Sequence, residues 1–258
     1  MITSASNARI KKVAALNQKA KERRQEEKYV VEGVKMFLEA PEEEMEEIYV
    51  SEGFQQEACR EKLAGRPFET VSEEVFRKMS DTAAPQGILC VMRQKRYALS
   101  DLLAGENSLL MVLEDIQDPG NLGTILRTGE GAGISGVIMS RETADIYNPK
   151  TIRSTMGSIY RVPFVYVTSL EEASAQLKAK NIRLFAAHLK GRSWYDGEDY
   201  RKGSAFLIGN EGNGLREETA ALADTYIKIP MQGRVESLNA AMASGILMYE
   251  AARQRRRD

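Results

Sequence analysis

Histidine, tryptophan and cysteine are almost missing from this chain, with one His, one Trp and two Cys in 258 residues. Cys59 and Cys90 are isolated, with no CxxC partner and no histidine at metal-ligand spacing, so neither a zinc site nor a disulfide framework is expected. His188 is the only histidine, so any Ser-His-Asp or Cys-His nucleophile would have to be built on it. The surrounding AAHLKGRSW has no nucleophile-elbow pattern, and His188 reads as the end of a strand. The start, MITSASNARIKKVAALNQKAKERRQEEKYVVEG, has no unbroken apolar run of the length a signal peptide or a membrane span needs, which predicts a cytoplasmic protein with no membrane partner. Composition is that of an ordinary globular chain, 43% hydrophobic and 28% charged, and the length allows one or two domains.

The net charge of −1 hides a segregation. The first thirty residues carry Arg9, Lys11, Lys12, Lys19, Lys21, Arg23, Arg24 and Lys28 against Glu22, Glu26 and Glu27; PEEEMEE follows from Pro41, and the chain ends RQRRRD. Two readings of the N-terminal cluster stay open. It is either a solvated helix face or an RNA-contacting arm built on Lys11, Lys12, Arg23 and Arg24, because neutralising phosphates needs clustered cations whatever the net charge.

Periodicity divides the chain in two. Residues 1–95 alternate helical and strand patterns: a charged helix to about Lys28, YVVEG, VKMFLEA, EEIYVS, a helix near Gln55–Leu63, FETVS, a helix at Glu73–Met79 and GILCVM. Residues 96–107 are polar and form the expected linker. From 108 to 258 the pattern restarts with LLMVLED, apolar enough for the middle of a parallel sheet. It continues through a helix at Asn121–Glu130, GVIMS, a short helix near Thr151–Met156, VPFVYV, a helix at Leu170–Lys180, IRLFAAH, SAFLIG, TYIKI and a last helix from about Glu236. Strands joined by helical crossovers imply an α/β fold with a parallel sheet and ligands at the strand C-termini. Leu238, Ala241, Met242, Gly245, Tyr249 and Ala252 make one apolar stripe on the last helix, which suits either a core or a pairing surface.

Two glycine motifs need separating from their look-alikes. GAGISG from Gly131 fits the dinucleotide fingerprint literally, but a helix precedes it and a strand follows. That reverses the required order and indicates a helix C-cap instead. GNEGNG from Gly209 lacks the Gly-Lys-Ser/Thr ending of a phosphate loop. By itself it reads first as a plain turn into a helix, with open backbone approaching a flat ligand as the functional alternative.

Three segments in order, DPGNLGTILRTGEGAGISGV from Asp118, LIGNEGNGL from Leu207 and IPMQGRVESLNAAMASGILMYE from Ile229, resemble the SpoU (TrmH-type) branch of the SPOUT RNA methyltransferases. The matching positions are Asn121, Gly123 and Arg127, then Gly209, Asn210, Glu211 and Gly212, then Pro230, Ser237, Leu238 and Asn239. The N-terminal part, with SASNARIKKVAAL, YVVEG and SDTAAPQGIL, resembles the ribosomal-protein-like α/β substrate-binding domain that precedes many such catalytic domains.

The resemblance implies S-adenosylmethionine-dependent 2′-O-methylation of a ribose in structured RNA, ribosomal RNA before tRNA, without a metal. It further implies a deep trefoil knot in the catalytic domain and a homodimer formed through that domain. Gly209, Gly212, Ile229, Met231 and Leu238 would hold the donor. Arg127, Asn121, Glu211, Ser237 and Asn239 would serve the reaction. Taken alone, Arg127 also fits a surface ion pair and Ser237 a helix N-cap. A guanidinium, with a pKa above ~12, is an awkward base, so Arg127 is expected to grip phosphate and polarise the hydroxyl. The rival functions are a tRNA ribose methyltransferase, an inactive RNA-binding protein of the same fold and a base N-methyltransferase.

Overall fold

A computed structural model of the protein describes residues 1–256. The basic end RQRRRD runs on to Arg257 and Asp258, which lie outside the described residues. In chain order the elements begin α1 (Ala8–Gln18), α2 (Ala20–Glu26), β1 (Lys28–Glu32), α3 (Val34–Glu39), β2 (Met45–Ser51), α4 (Glu57–Leu63), β3 (Glu69–Val71), α5 (Glu73–Met79) and β4 (Ile88–Arg93). They continue α6 (Leu99–Leu102), β5 (Leu109–Leu113), α7 (Pro119–Ala132), β6 (Gly136–Ser140), α8 (Pro149–Thr155), β7 (Phe164–Val167), α9 (Leu170–Ala179) and β8 (Arg183–Ala187). Last come β9 (Ser193–Trp194), β10 (Ser204–Ile208), α10 (Glu217–Ala220), β11 (Thr225–Lys228) and α11 (Ala240–Arg255).

The chain forms two compact units, residues 1–95 with 145–160, and residues 96–144 with 161–258. One boundary falls between residues 95 and 96, and residues 145–160, which the sequence pattern grouped with 108–258, lie in the first unit. A buried ion pair helps to tie them there. The Arg23 guanidinium, 3% exposed, donates to Asp145 Oδ2 at 2.9 and 2.7 Å and to the carbonyls of Leu16 and Asn17 at 2.7 and 3.1 Å. Such a pair depends on a partner more than a hundred residues away, which periodicity cannot reveal.

In the first unit a four-stranded sheet runs β1-β4-β2-β3, antiparallel except for β2 with β3. One face packs Val30, Tyr49, Leu89 and Val91 against Ile10, Val13, Leu16, Val75 and Phe76 of α1 and α5. The single N-terminal helix expected from the sequence is two, broken at Lys19, whose φ of −125° and ψ of 114° are extended.

The expected RNA-contacting residues fall into two groups, those held in ion pairs and those without a partner. Arg23 is committed to Asp145, and Lys12 pairs with Glu26 at 2.5 Å. Arg9 holds Glu47 and Glu69. Lys11, Lys19, Lys21 and Arg24 are exposed and have no ion-pair partner among the described residues. Of the C-terminal cations, Arg253 pairs with Glu250, and Arg255 donates to the carbonyls of Tyr200, Asn107 and Lys202.

The second unit carries a seven-stranded, all-parallel sheet in the order β7-β6-β5-β10-β8-β11-β9. Every residue of β5 and β10 is buried, as a strand covered on both faces requires. Leu110, Val112, Leu184, Ala205 and Leu207 pack on one face with Leu177 of α9. Alternate residues Phe185 and Phe206 turn to the other and meet Tyr200, at ring separations of 4.8 and 5.0 Å. Gly133 closes α7 in the left-handed region at φ 74°, so GAGISG is a helix C-cap leading into β6. Because all strands run the same way, the chain leaves β5, β8, β10 and β11 on one edge of the sheet, where ligands of such folds sit.

Candidate active site

The turn after β5 is set by its own sequence. Asp118 caps α7, its Oδ1 accepting the Asn121 N–H at 2.8 Å, and Pro119 occupies the first helical turn, where no N–H is needed. The loop after β10 folds back on itself. Asn210 Oδ1 accepts the N–H groups of Gly212 at 2.9 Å and Asn213 at 3.1 Å, while its Nδ2 donates to the Asp115 carbonyl at 2.8 Å. The fold places the ends of β5 and β10 side by side, Leu113 opposite Ile208, so the two loops meet.

Where they meet, Glu211 organises the first loop. Its Oε2 accepts the Gln117 N–H at 3.0 Å, and its Oε1 accepts the Asp118 N–H at 3.1 Å and Asn121 Nδ2 at 2.9 Å. Asn121 Oδ1 in turn accepts Asn239 Nδ2 at 2.9 Å. Donor on one side and acceptor on the other fix which way the Asn121 amide points. Partial burial pushes the Glu211 carboxyl up, but the N–H groups of Gln117, Asn121 and Asp118 outweigh it and hold the group below the ordinary glutamate range. With its folded pKa depressed, the carboxylate network is present above the ordinary value and is lost only as pH falls through the lowered one.

Asn239, expected inside the first turn of the last helix, is its N-cap. The helix begins at Ala240, and Asn239 Oδ1 accepts the N–H groups of Ala241 and Met242 at 2.9 and 3.2 Å. The cap reading of Ser237 is thereby corrected: Ser237 lies in the irregular segment after β11, exposed. The cap fixes the Asn239 backbone through Oδ1 and leaves Nδ2 for Asn121, so one side chain serves both fold and site.

Beneath this network a cavity of about 780 Å³ opens between the loops after β8, β10 and β11. Its walls include Gly209, Gly212, Ile229, Met231, Leu238 and Ser237, all expected site positions. Arg127 is neither in this wall nor in the hydrogen-bond network. It is exposed on α7 and makes no hydrogen bond or ion pair among the described residues. The surface ion-pair reading also finds no partner.

Sequence reasoning passed over other parts of the site. Asp115, in the left-handed region at φ 53°, takes hydrogen bonds from Ser140 and Arg216, while buried Glu114 takes them from the Arg216 N–H and Thr219. Together they strap the loop after β10 to the end of β5. The acidic pair closing an otherwise apolar strand, LLMVLED, was the available signal. His188 is a strand-end residue as expected, but it also lines the cavity, as does Trp194.

The parallel sheet with a polar cluster and an apolar cavity at its strand ends defines a class of α/β enzymes with a site built from several loops, and the comparisons specify it. A family model described as the SpoU rRNA methylase family matches residues 108–249, and one described as the MRM3-like substrate binding domain matches residues 7–90. The chain belongs to the SpoU rRNA methylase family. Among its relatives is the 23S rRNA (guanosine(2553)-2′-O)-methyltransferase RlmP of Bacillus subtilis, 31% identical over 96% of this chain and 97% of the relative. An AdoMet-bound rRNA methyltransferase from Sinorhizobium meliloti superposes with a TM-score of 0.88 at 32% identity, over 98% of this chain and 97% of that one. The SpoU methyltransferase AviRb from Streptomyces viridochromogenes, in complex with AdoMet, gives 0.87 at 28% identity, over 96% and 98%.

Proposed function

We propose that this protein transfers a methyl group from S-adenosylmethionine to a ribose 2′-hydroxyl of ribosomal RNA. The observation that carries the reading is the Glu211–Asn121–Asn239 network at the mouth of the cavity, formed from three segments that resemble one family's motifs. The cavity suits the donor by its chemistry. Ile208, Ile227, Ile229 and Leu238 supply apolar walls, the loop from Gly209 to Gly214 presents backbone, and a donor without phosphate needs no cationic cradle. When bound, the donor supplies an electrophilic methyl on a sulfonium. This chain's residues must bring the ribose to it. Asn121, held from both sides, is pre-organised to orient the sugar. Glu211, ionised and engaged by three donors, orients rather than accepts a proton.

Arg127 supplies a permanent positive charge that grips the neighbouring phosphate and polarises the hydroxyl. Its exposure supports a homodimer that completes the site. Arg127 and Gly131 share a face of α7 at i, i+4, and the Tyr249 hydroxyl of α11 lies 3.0 Å from where a Cβ on Gly131 would stand. Met242 and Tyr249, expected within one apolar stripe, are 58% and 54% exposed, while Ala241, Ser244, Leu247 and Met248 are buried. An outward apolar strip beside a lone arginine fits a second copy of the chain. The knotted course implied by the resemblance belongs to the same proposal, supported by β8 lying between β10 and β11 in the sheet, as does a cytoplasmic location.

Incubation with labelled donor and ribosomal RNA tests the activity. Label in alkali-resistant dinucleotides is expected. Label released by alkali as mononucleotides would indicate a base methyltransferase, label in tRNA but not in ribosomal RNA when the two are incubated in parallel the tRNA enzyme, and none an inactive binding protein. Glu211→Gln should cut kcat about tenfold with little change in KM, because an NH₂ group replaces one acceptor and Asn121 loses its fixed orientation. An unchanged kcat would remove the network from the reaction.

The first unit carries the RNA affinity in this reading, through Lys11, Lys19, Lys21 and Arg24. Reversing these four charges should weaken RNA binding and flatten its dependence on salt by close to one unit of log–log slope per lost phosphate contact. Filter binding across a salt series reads both. A slope that does not move leaves these cations as solvated surface.

A further inference from the structure

The only tryptophan of the chain stands in the wall of the donor cavity. Trp194 forms β9 with Ser193 at the edge of the seven-stranded sheet, in register with Lys228 of β11. It is 50% exposed, a large aromatic surface left open where most indoles are covered. Lys228 Nζ lies 4.5 Å from the ring centroid, a cation–π contact that steadies the ring. The cavity's other aromatic ring is His188. That imidazole packs on Tyr226 at 5.4 Å, and its Nδ1 accepts the Lys190 N–H at 3.1 Å. Trp194 is therefore the large π surface available to a ligand there.

Its place in the sheet decides which part of a ligand it meets. Glu211 and Asn121 stand at the ends of β10 and β5, whereas β9 is separated from β10 by β8 and β11. The reacting methyl must face the polar cluster, so the wall at β9 receives a part of the donor remote from it. We propose that Trp194 is the aromatic wall on which the adenine of the donor stacks. A flat, apolar heterocycle gains from an indole face what a charged amino-acid tail does not. The assignment rests on the reading of the cavity as the donor site.

Because the chain has one tryptophan, selectively excited emission reports this wall alone. Titrating the full-length protein with S-adenosylhomocysteine or adenosine should change the emission saturably, whereas methionine should leave it unchanged. In calorimetry Trp194→Phe should keep the affinity for S-adenosylhomocysteine within about threefold, and Trp194→Ala should lose about tenfold or more, the scale of base–aromatic stacking. Calorimetric binding without an emission change, a response to methionine but not adenosine, or unchanged affinity in Trp194→Ala would each overturn the assignment. If the wild-type protein gives no binding heat with S-adenosylhomocysteine, the donor reading itself fails, and this proposal with it. The emission titration uses the unaltered protein, so it decides even if Trp194→Ala is poorly folded.

Discussion

Arg127→Ala is expected to lower ribose methylation by at least about 10²-fold, the loss seen when one transition-state-stabilising group is removed, or ~2.7 kcal/mol. Donor affinity and thermal stability should scarcely change. The side chain is exposed and holds no hydrogen bond or ion pair among the described residues, so its removal breaks nothing in the folded protomer. Arg127→Lys should fail nearly as badly, because an ammonium cannot reproduce a planar, two-pronged grip on phosphate. Single-turnover methylation alongside calorimetry of S-adenosylhomocysteine separates the terms. Equal activity in the alanine variant would return Arg127 to the solvated surface. A fall in donor affinity matching the fall in rate would place it in the donor site instead.

The second large effect is expected from one methyl group. An added Cβ at Gly209 would stand 2.1 Å from the backbone of Gly214 and Leu215, far inside contact distance. Main chain cannot swing aside as a side-chain tip can, so the loop that bridges Asn210 to Gly214 must open. Gly209→Ala should therefore cost donor binding about 10²-fold or more and stability about 1–3 kcal/mol, the usual range for overpacking. Gly212→Ala is the internal control. A Cβ there meets only Asn210 Oδ1, at 3.4 Å, an ordinary contact, and stability should be kept. Calorimetry and thermal unfolding of both variants read the effects, and a similar loss of stability in the two would defeat the steric argument. The resemblance assigned both glycines to close approach of the donor. The structure gives Gly209 a reason that precedes any ligand, the closure of its own loop.

Asn239 and Arg23 show why some roles were readable and others were not. Ser-Leu-Asn before an alanine-rich run announces a helix start, yet either polar residue suits a cap by composition. Only the backbone path decides, and it places Asn239 at the cap with its amide nitrogen directed to Asn121. Arg23 sits in a basic run and looks like its neighbours. Its burial depends on Asp145, 122 positions away, which no local pattern encodes. The cavity wall at Trp194 was missed for a similar reason, since a two-residue edge strand is too short to show a period.

Local features were legible along the chain: the apolar central strands, the glycine cap after α7, and the three segments whose order resembles one family. These follow from propensity, capping and periodicity, which act over a few residues. Only the tertiary structure settled which loops share a cavity, that Glu211 holds Asn121, that Arg127 has no hydrogen-bond or ion-pair partner among the described residues, and that residues 145–160 return to the first unit. Those outcomes depend on strand order and on buried partners distant in the chain, where the energy of a contact is set by the whole packed molecule.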